Sequence, residues 1–267
     1  MKVFKTDILL ILFLFLIITT SFGNSFGQIA NIIETKLKYS NFRNKRFEED
    51  EEIGRNNFIL FPSIKTGNLK TEKKINHTIF TYLRYDSIYE SHSVKKTIKS
   101  CVREGLINMK YNVSFNRNGI LSLQIEYFHC GANCWTNKIF LNFNLTNGEL
   151  LTLKDIVKPN KIQNIKDKVS IRKRNKLLTF ADSLVIQFDT ITNKDMAEPC
   201  QEVLKELEKC NDFLSLEQFK VDENNLSFYI SCFFAYYLSP YEPELFINFD
   251  FRNNFSLFRP EFLKQFF

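Results

Sequence analysis

The stretch from Tyr111 to Leu153 limits the fold of this chain more than any other part of it. It reads Tyr111-Asn112-Val113-Ser114-Phe115, a turn at Asn116-Arg117-Asn118-Gly119, then Ile120-Leu121-Ser122-Leu123-Gln124-Ile125-Glu126-Tyr127-Phe128. A loop bracketed by Cys130 and Cys134 follows, and then Lys138-Ile139-Phe140-Leu141-Asn142-Phe143-Asn144-Leu145. Apolar and polar side chains alternate in each run, the period-two pattern of a sheet with one buried face. Asn118-Gly119 supplies the backbone freedom of a tight hairpin turn, and a second Asn-Gly pair at Asn147-Gly148 leads into Leu150–Ile156.

Helical spacing flanks this sheet. Ile75, Ile79, Tyr82 and Leu83 recur on one helical face, and residues Ile162 to Phe188 carry Ile165, Val169, Leu177, Leu178, Ala181, Leu184 and Val185 at helical intervals. Glu198-Pro199 opens another helix, Cys200 to Cys210, with Val203, Leu204 and Leu207 on one side and Pro199 in its first turn. Strands are predicted at Phe58–Pro62, where Pro62 ends the run, and at Phe219–Asp222, Leu226–Ile230, Phe233–Leu238 and Leu245–Phe251, followed by a terminal run from Pro260 to Phe267. The predicted fold class is α+β, with antiparallel sheets and helices packed on them. At 267 residues and 44% apolar content the chain is long enough to bury a substantial core.

The N-terminus predicts export. Lys2 and Lys5 precede an apolar run from Ile8 to Ile18, about 11 residues long and well short of the roughly 20 that a membrane span requires. Read as a signal peptide, residues 1–27 are removed after Ser25-Phe26-Gly27, with Ser21-Phe22-Gly23 as the second cleavage site and an uncleaved anchor as the alternative. No stable membrane insertion is expected after cleavage, and the expected location is secreted or periplasmic. Residues 28–57, with Glu48-Glu49-Asp50-Glu51-Glu52 behind Arg43, Lys45 and Arg46, read as a charged lead-in or linker. The folded part is expected to begin near Phe58, with a helical and strand part over 58–110 and an α+β domain over 111–267.

Six cysteines, Cys101, Cys130, Cys134, Cys200, Cys210 and Cys232, form an even set in a chain read as exported, so disulfides are the default. Cys130 and Cys134 are the candidate pair, since four residues across a Gly-containing hairpin loop bring two Cα atoms within bonding reach. The other pairings stay open. Ten helical residues rise about 15 Å, so Cys200 and Cys210 cannot pair across an intact helix. A zinc site at Cys130-x-x-x-Cys134 is the competing reading, without a second close ligand pair to complete it.

No constellation for catalysis stands out. The three histidines, His77, His92 and His129, sit in no nucleophile elbow or acid pairing, and His129 reads as a turn or surface residue. Eight glycines are too scattered for a phosphate loop. The formal charge of +6 is mild. The basic cluster Lys166, Lys168, Arg172, Lys173, Arg174 and Lys176 reads as a solvated helix face, so no nucleic-acid partner is expected. No enzyme activity, metal or cofactor is therefore predicted. Trp135, the only Trp in the chain, beside the Cys loop, and Tyr236, Tyr237 and Tyr241 around Pro240 are the candidate ligand contacts, because Tyr and Trp join apolar area to a polar handle. Core and rim packing is the competing account of each.

The order Phe61-Pro62, Ile75-Asn76, Asn118-Gly119-Ile120-Leu121-Ser122-Leu123, Phe143-Asn144-Leu145-Thr146-Asn147-Gly148 and Leu151–Ile156, followed by Phe219-x-Val221, Leu226-Ser227-Phe228-Tyr229 and Tyr237-Leu238-Ser239-Pro240-Tyr241, resembles a family of extracellular domains of unknown function. This is the DUF3298 family with a DUF4163-like N-terminal half, as in the lysozyme-binding anti-sigma factor RsiV and the non-catalytic region of the peptidoglycan deacetylase PdaC. The resemblance implies two linked α+β subregions and an exported, non-enzymatic envelope domain whose partner is a lysozyme-like protein or a peptidoglycan-like glycan. An accessory role to an envelope glycan hydrolase or deacetylase, and a structural envelope role, are the alternatives. Two departures stand out: Asn133, a further candidate ligand contact, replaces the His of the family's Gly-Gly-Ala-His loop, and Glu242-Pro243-Glu244 replaces a small turn after Tyr241.

Overall fold

The computed structural model describes residues 27–38, 58–85, 89, 93–131, 134–189, 197–212 and 214–267. The expected signal segment up to Phe26 and the acidic run at 48–52 lie outside these residues, whereas Gly27 and Gln28, on either side of the first expected cleavage site, lie within them. The chain is α+β, with one five-stranded and one three-stranded sheet, each covered by helices.

The first sheet runs in the order β1 (Asn31–Lys38), β2 (Phe58–Lys65), β3 (Leu106–Arg117), β4 (Ile120–Cys130) and β5 (Cys134–Asn144). Strand β1 corrects the linker reading of residues 28–57, because Asn31–Lys38 pairs antiparallel with the whole of β2. Its described side chains are mostly exposed, with Leu37 buried, Ile32 half-buried on the first core and Ala30 buried just before the strand, so pairing with β2 holds it more than an apolar pattern does. The strand also runs on through Pro62 instead of ending there. Pro62 lies opposite Glu34 of β1, and β2 meets β3 only at Ile59↔Met109. Beyond that point Asn76 stands in for a strand, accepting from Ile64 N at 2.9 Å and donating to Ile64 O at 3.0 Å. An edge position without a ladder neighbour tolerates the missing N–H of proline.

The β2–β3 pair is parallel, so the sheet is mixed and not purely antiparallel. Such a pair needs a crossover. It is made by α1 (Leu69–Tyr82) and α2 (Val94–Arg103), which cover one face. Asn68 caps α1 by accepting from Lys70 N and Thr71 N, and the helix buries Ile75, Ile79 and Phe80, with Phe80 stacked on Phe61 at 4.5 Å. Ser93 caps α2, which buries Ile98, Cys101 and Val102. The Asn118-Gly119 turn carries positive φ at both residues (52° and 79°) and sets β3 against β4. The β4–β5 register is unbroken from Ile120↔Asn144 to Cys130↔Cys134.

After the turn at Gly148, the chain passes through α3 (Leu153–Ile156) into α4 (Ile162–Asp189) and α5 (Ala197–Asp212), then β6 (Phe219–Val221), β7 (Asn225–Ile230), β8 (Leu245–Asp250) and the terminal α6 (Pro260–Leu263). Strands β6, β7 and β8 form the second sheet, in that order and antiparallel. Helices α4 and α5 pack on its inner face through Ile165, Val169, Leu177, Leu184, Val203 and Leu207, against Phe219, Val221, Phe228, Ile247 and Phe249. Lys173 departs from the solvated basic face. It is 1% exposed and donates to Cys210 O at the end of α5. Burial holds its pKa below the usual lysine value, opposed by Asp212.

Two cores result, one built from residues 30–145 and one mostly from residues 156–263. Their division falls after β5, while β3 runs straight through the expected boundary at 110 and 111. The sheets meet at β6. Ser122 and Asn142, cross-strand partners on β4 and β5 and both buried, reach its outer edge, with Val221 N donating to Ser122 Oγ at 3.1 Å and Asn142 Nδ2 donating to Phe219 O at 2.7 Å. Gln218 completes the junction by accepting from Phe140 N at 3.0 Å. An edge strand that would otherwise leave backbone groups unpaired is thus satisfied by side chains.

Candidate functional site

The distal end of the β4–β5 hairpin projects beyond the junction and gathers the sequence candidates nearest one another. Both strands run right up to the cysteines, so Trp135 is a strand residue and not part of the loop. Cys130 and Cys134 are disulfide-bonded with Cα atoms 4.0 Å apart. His129 pairs across the ladder with Trp135, and their rings stack at 4.2 Å. Trp135 remains 38% exposed.

The α2–β3 turn supports the tip from below. Gly105 (φ 112°) lies so close to β4 that a Cβ there would meet Cys130 O at 2.4 Å, and Cys130 N donates to Gly105 O at 2.8 Å. His129 Nε2 lies 2.9 Å from Glu104 O. A carbonyl only accepts, so Nε2 carries the proton, and Nδ1 is left as an acceptor with no partner among the described residues. Beneath the stack lie Tyr85 and Cys101. Burial pushes the Tyr85 phenol well above its usual range, with Cys101, Tyr127 and Glu104 adding to the effect. Burial likewise pushes the Cys101 thiol up to about 12, a setting for an inert side chain.

The opposite face of the hairpin is uncovered beyond the junction. A shallow hollow of about 200 Å³ there is lined by Asn108, Lys110, Glu126, Tyr127, Phe128 and Thr136. Lys110 and Lys138 flank Glu126 at 2.8 and 3.9 Å, and Lys138 also pairs with Glu244. Tyr229 stands at its margin under Lys138. Its phenol is pushed up to about 12 by burial and by Glu242, Glu244 and Glu126.

The remaining candidates lie elsewhere. Asn133 and the side chain of Tyr236 fall outside the described residues. Tyr237 is 65% exposed and donates to Glu202 of α5, which raises its pKa. Tyr241 packs against the C-terminal core. Trp135, Tyr237 and Tyr241 thus have three different surroundings.

Residues 233–238, expected as a strand, form none. Phe233 takes a left-handed φ of 53°, and residues Tyr236–Tyr241 form a 3-10 turn. The cause is Glu242, whose carboxylate accepts from Cys232 N at 2.6 Å, Phe233 N at 3.0 Å, Phe234 N at 3.4 Å and Ser231 Oγ at 2.8 Å. Cys232 is also bonded to Cys210, the pairing that sequence left open, with Cα atoms 4.8 Å apart. Carboxylate and disulfide together fold the segment into a knuckle that leaves Phe233 70% exposed. Cys101 and Cys200 are buried outside both disulfides. The terminal run is also not a strand: Pro260 opens α6 at a position where its missing N–H costs nothing.

Among the described residues no group of three His, Cys, Asp or Glu side chains is placed to hold a metal ion, and no helix is long and apolar enough to cross a membrane. No family model and no curated protein matches the sequence. Crystal structures do share the fold. A DUF3298 family member from Bacteroides fragilis is 15% identical with a TM-score of 0.51, covering 88% of this chain and 96% of that one. A DUF3298 family protein from Pseudomonas aeruginosa is 10% identical with a TM-score of 0.50, covering 87% and 95%. At these identities the likeness is one of fold.

Proposed function

We propose that the chain is an exported, non-enzymatic envelope module of the DUF3298 kind that holds a lysozyme-like protein or a peptidoglycan-like glycan at the tip of its β4–β5 hairpin. The carrying observation is Trp135, exposed yet fixed by its stack on His129 at a disulfide-closed turn. A flat aromatic ring held in place loses little freedom when a sugar ring or an apolar side chain settles on it. Secretion to the periplasm or the exterior is consistent with two disulfides in one chain.

The chain's only Trp makes the test direct. Hen lysozyme and solubilised muropeptides, titrated separately into the protein lacking residues 1–27, are expected to shift Trp135 fluorescence with one of the two. Trp135→Ala is expected to weaken that binding at least tenfold, measured calorimetrically, with the melting temperature unchanged. Full binding by Trp135→Ala moves the site elsewhere, and absence of binding to both probes rejects the reading.

A further inference from the structure

We infer that the outward face of α4 is a self-association surface on which a second copy of this chain packs antiparallel. The helix turns Ile165, Val169, Lys173, Leu177 and Leu184 into the C-terminal core. Opposite that face stand Ile171, Leu178 and Val185, exposed at 62%, 55% and 41%. Their spacing is seven residues, two helical turns, so the side chains fall into one row. Single apolar residues on a surface need no partner. A row of three on a helix whose other face is already packed has the pattern of a helix–helix seam.

Charge selects the occupant. Arg174 stands one turn before Leu178 and Asp182 one turn after, both exposed on the same face. A two-fold axis beside Leu178, with the helices antiparallel, sets Ile171 opposite the partner's Val185, Leu178 opposite its own copy, and Arg174 opposite the partner's Asp182. Symmetry makes that ion pair twice. A parallel arrangement would instead oppose Arg174 to Arg174 and Asp182 to Asp182, which repel. The row from Ile171 to Val185 spans about 21 Å along the helix. That is little for a permanent interface, so the dimer is weak and depends on chain concentration.

Cysteine cross-linking of the full chain under mild oxidation tests the register. Leu178→Cys is expected to form a disulfide-linked dimer at least tenfold faster than the exposed control Lys264→Cys. Ile171→Cys alone should not exceed that control, whereas Ile171→Cys mixed with Val185→Cys should give the mixed dimer. Sedimentation equilibrium at millimolar chain concentration tests the charges: Arg174→Asp is expected to lower the association constant at least tenfold, and Arg174→Asp with Asp182→Arg to restore it. Self-linking of Ile171→Cys, control-level linking of Leu178→Cys, a monomeric wild type at millimolar concentration, or no rescue by the double swap would each overturn the inference. Circular dichroism of every variant confirms that the fold is kept, since all six positions are exposed.

Discussion

The two disulfides are the same kind of bond and serve opposite ends. Cys210–Cys232 spans 22 residues and ties the end of α5 to the knuckle after β7, inside the C-terminal core. Cys130–Cys134 spans four residues at an exposed turn whose strands are already paired. In the chain-entropy account, the stabilisation of a cross-link grows with the logarithm of the loop it closes. The first bond therefore holds a core together, while the second shapes a surface. The rest of the N-terminal core is fastened without a disulfide, by capped helix starts and side chains that imitate strands.

The sharpest way to break this contrast is to remove the long bridge. Cys210→Ser with Cys232→Ser is expected to cost about 3 kcal/mol in chemical denaturation, and amide exchange should quicken at residues 231–242 while the first sheet stays protected. Equal loosening of both sheets would mean that the bridge serves the whole molecule. Glu242→Gln probes the same knuckle without touching sulfur. A charged acceptor of three backbone N–H groups and a hydroxyl is replaced by a neutral one, for an expected loss of about 2 kcal/mol. Were Glu242→Gln as stable as wild type, the disulfide alone would be setting the left-handed turn at Phe233.

Smaller effects belong to the N-terminal half. Cys130→Ser with Cys134→Ser is expected to cost about 1.5 kcal/mol less than loss of the long bridge, by the ratio of loop lengths, and to show itself mainly as altered Trp135 fluorescence. A larger drop in stability than at Cys210 and Cys232 would reverse the assignment of roles. The smallest effect concerns pH. Burial tends to raise the Glu72 carboxyl, but Lys65 and the N–H groups of Thr66 and Gly67 outweigh it and hold the pKa below the usual value. A depressed folded-state pKa gives stability that is present above the unfolded-state value, near about 4.3, and is lost as pH falls toward the folded-state value. Glu72→Gln should cost about 1 kcal/mol at neutral pH and flatten the acid limb of a stability–pH curve. An unchanged slope would remove Glu72 from the account.

Much of this architecture was legible in the sequence. The two Asn-Gly turns, the alternation through β3 to β5 and the spacing in α4 carry their own signals, because each element buries one face against a large partner. What was hidden lacked that one-sided burial. Strand β1 shows few buried side chains and exists because β2 offers it a ladder. Helix α2 is short and rich in lysine, and its apolar positions have meaning only over the first sheet. The knuckle misleads for a different reason: Phe233, Phe234, Tyr236 and Tyr237 are good strand formers, overridden by a carboxylate eight residues beyond Phe234 and a cysteine 22 residues before Cys232. At the candidate site, Cys130, Cys134 and Trp135 could be named in advance. The His129 stack could not, since it requires the cross-strand register that only the completed hairpin defines.

The junction at β6 bears on the order in which the molecule assembles. Every strand of the first sheet lies within residues 31–144, so in a chain that emerges N-terminus first its pairing can be complete before residue 219 appears. Ser122 and Asn142 are then already side by side, holding out an acceptor and a donor at a fixed separation. The second sheet meets a template that reads its backbone at Phe219 and Val221, whatever side chains those residues carry. Positions 219 and 221 are thus free to vary within the demands of their own core, whereas 122 and 142, with Gln218 on Phe140 N, fix the register in which the two halves meet.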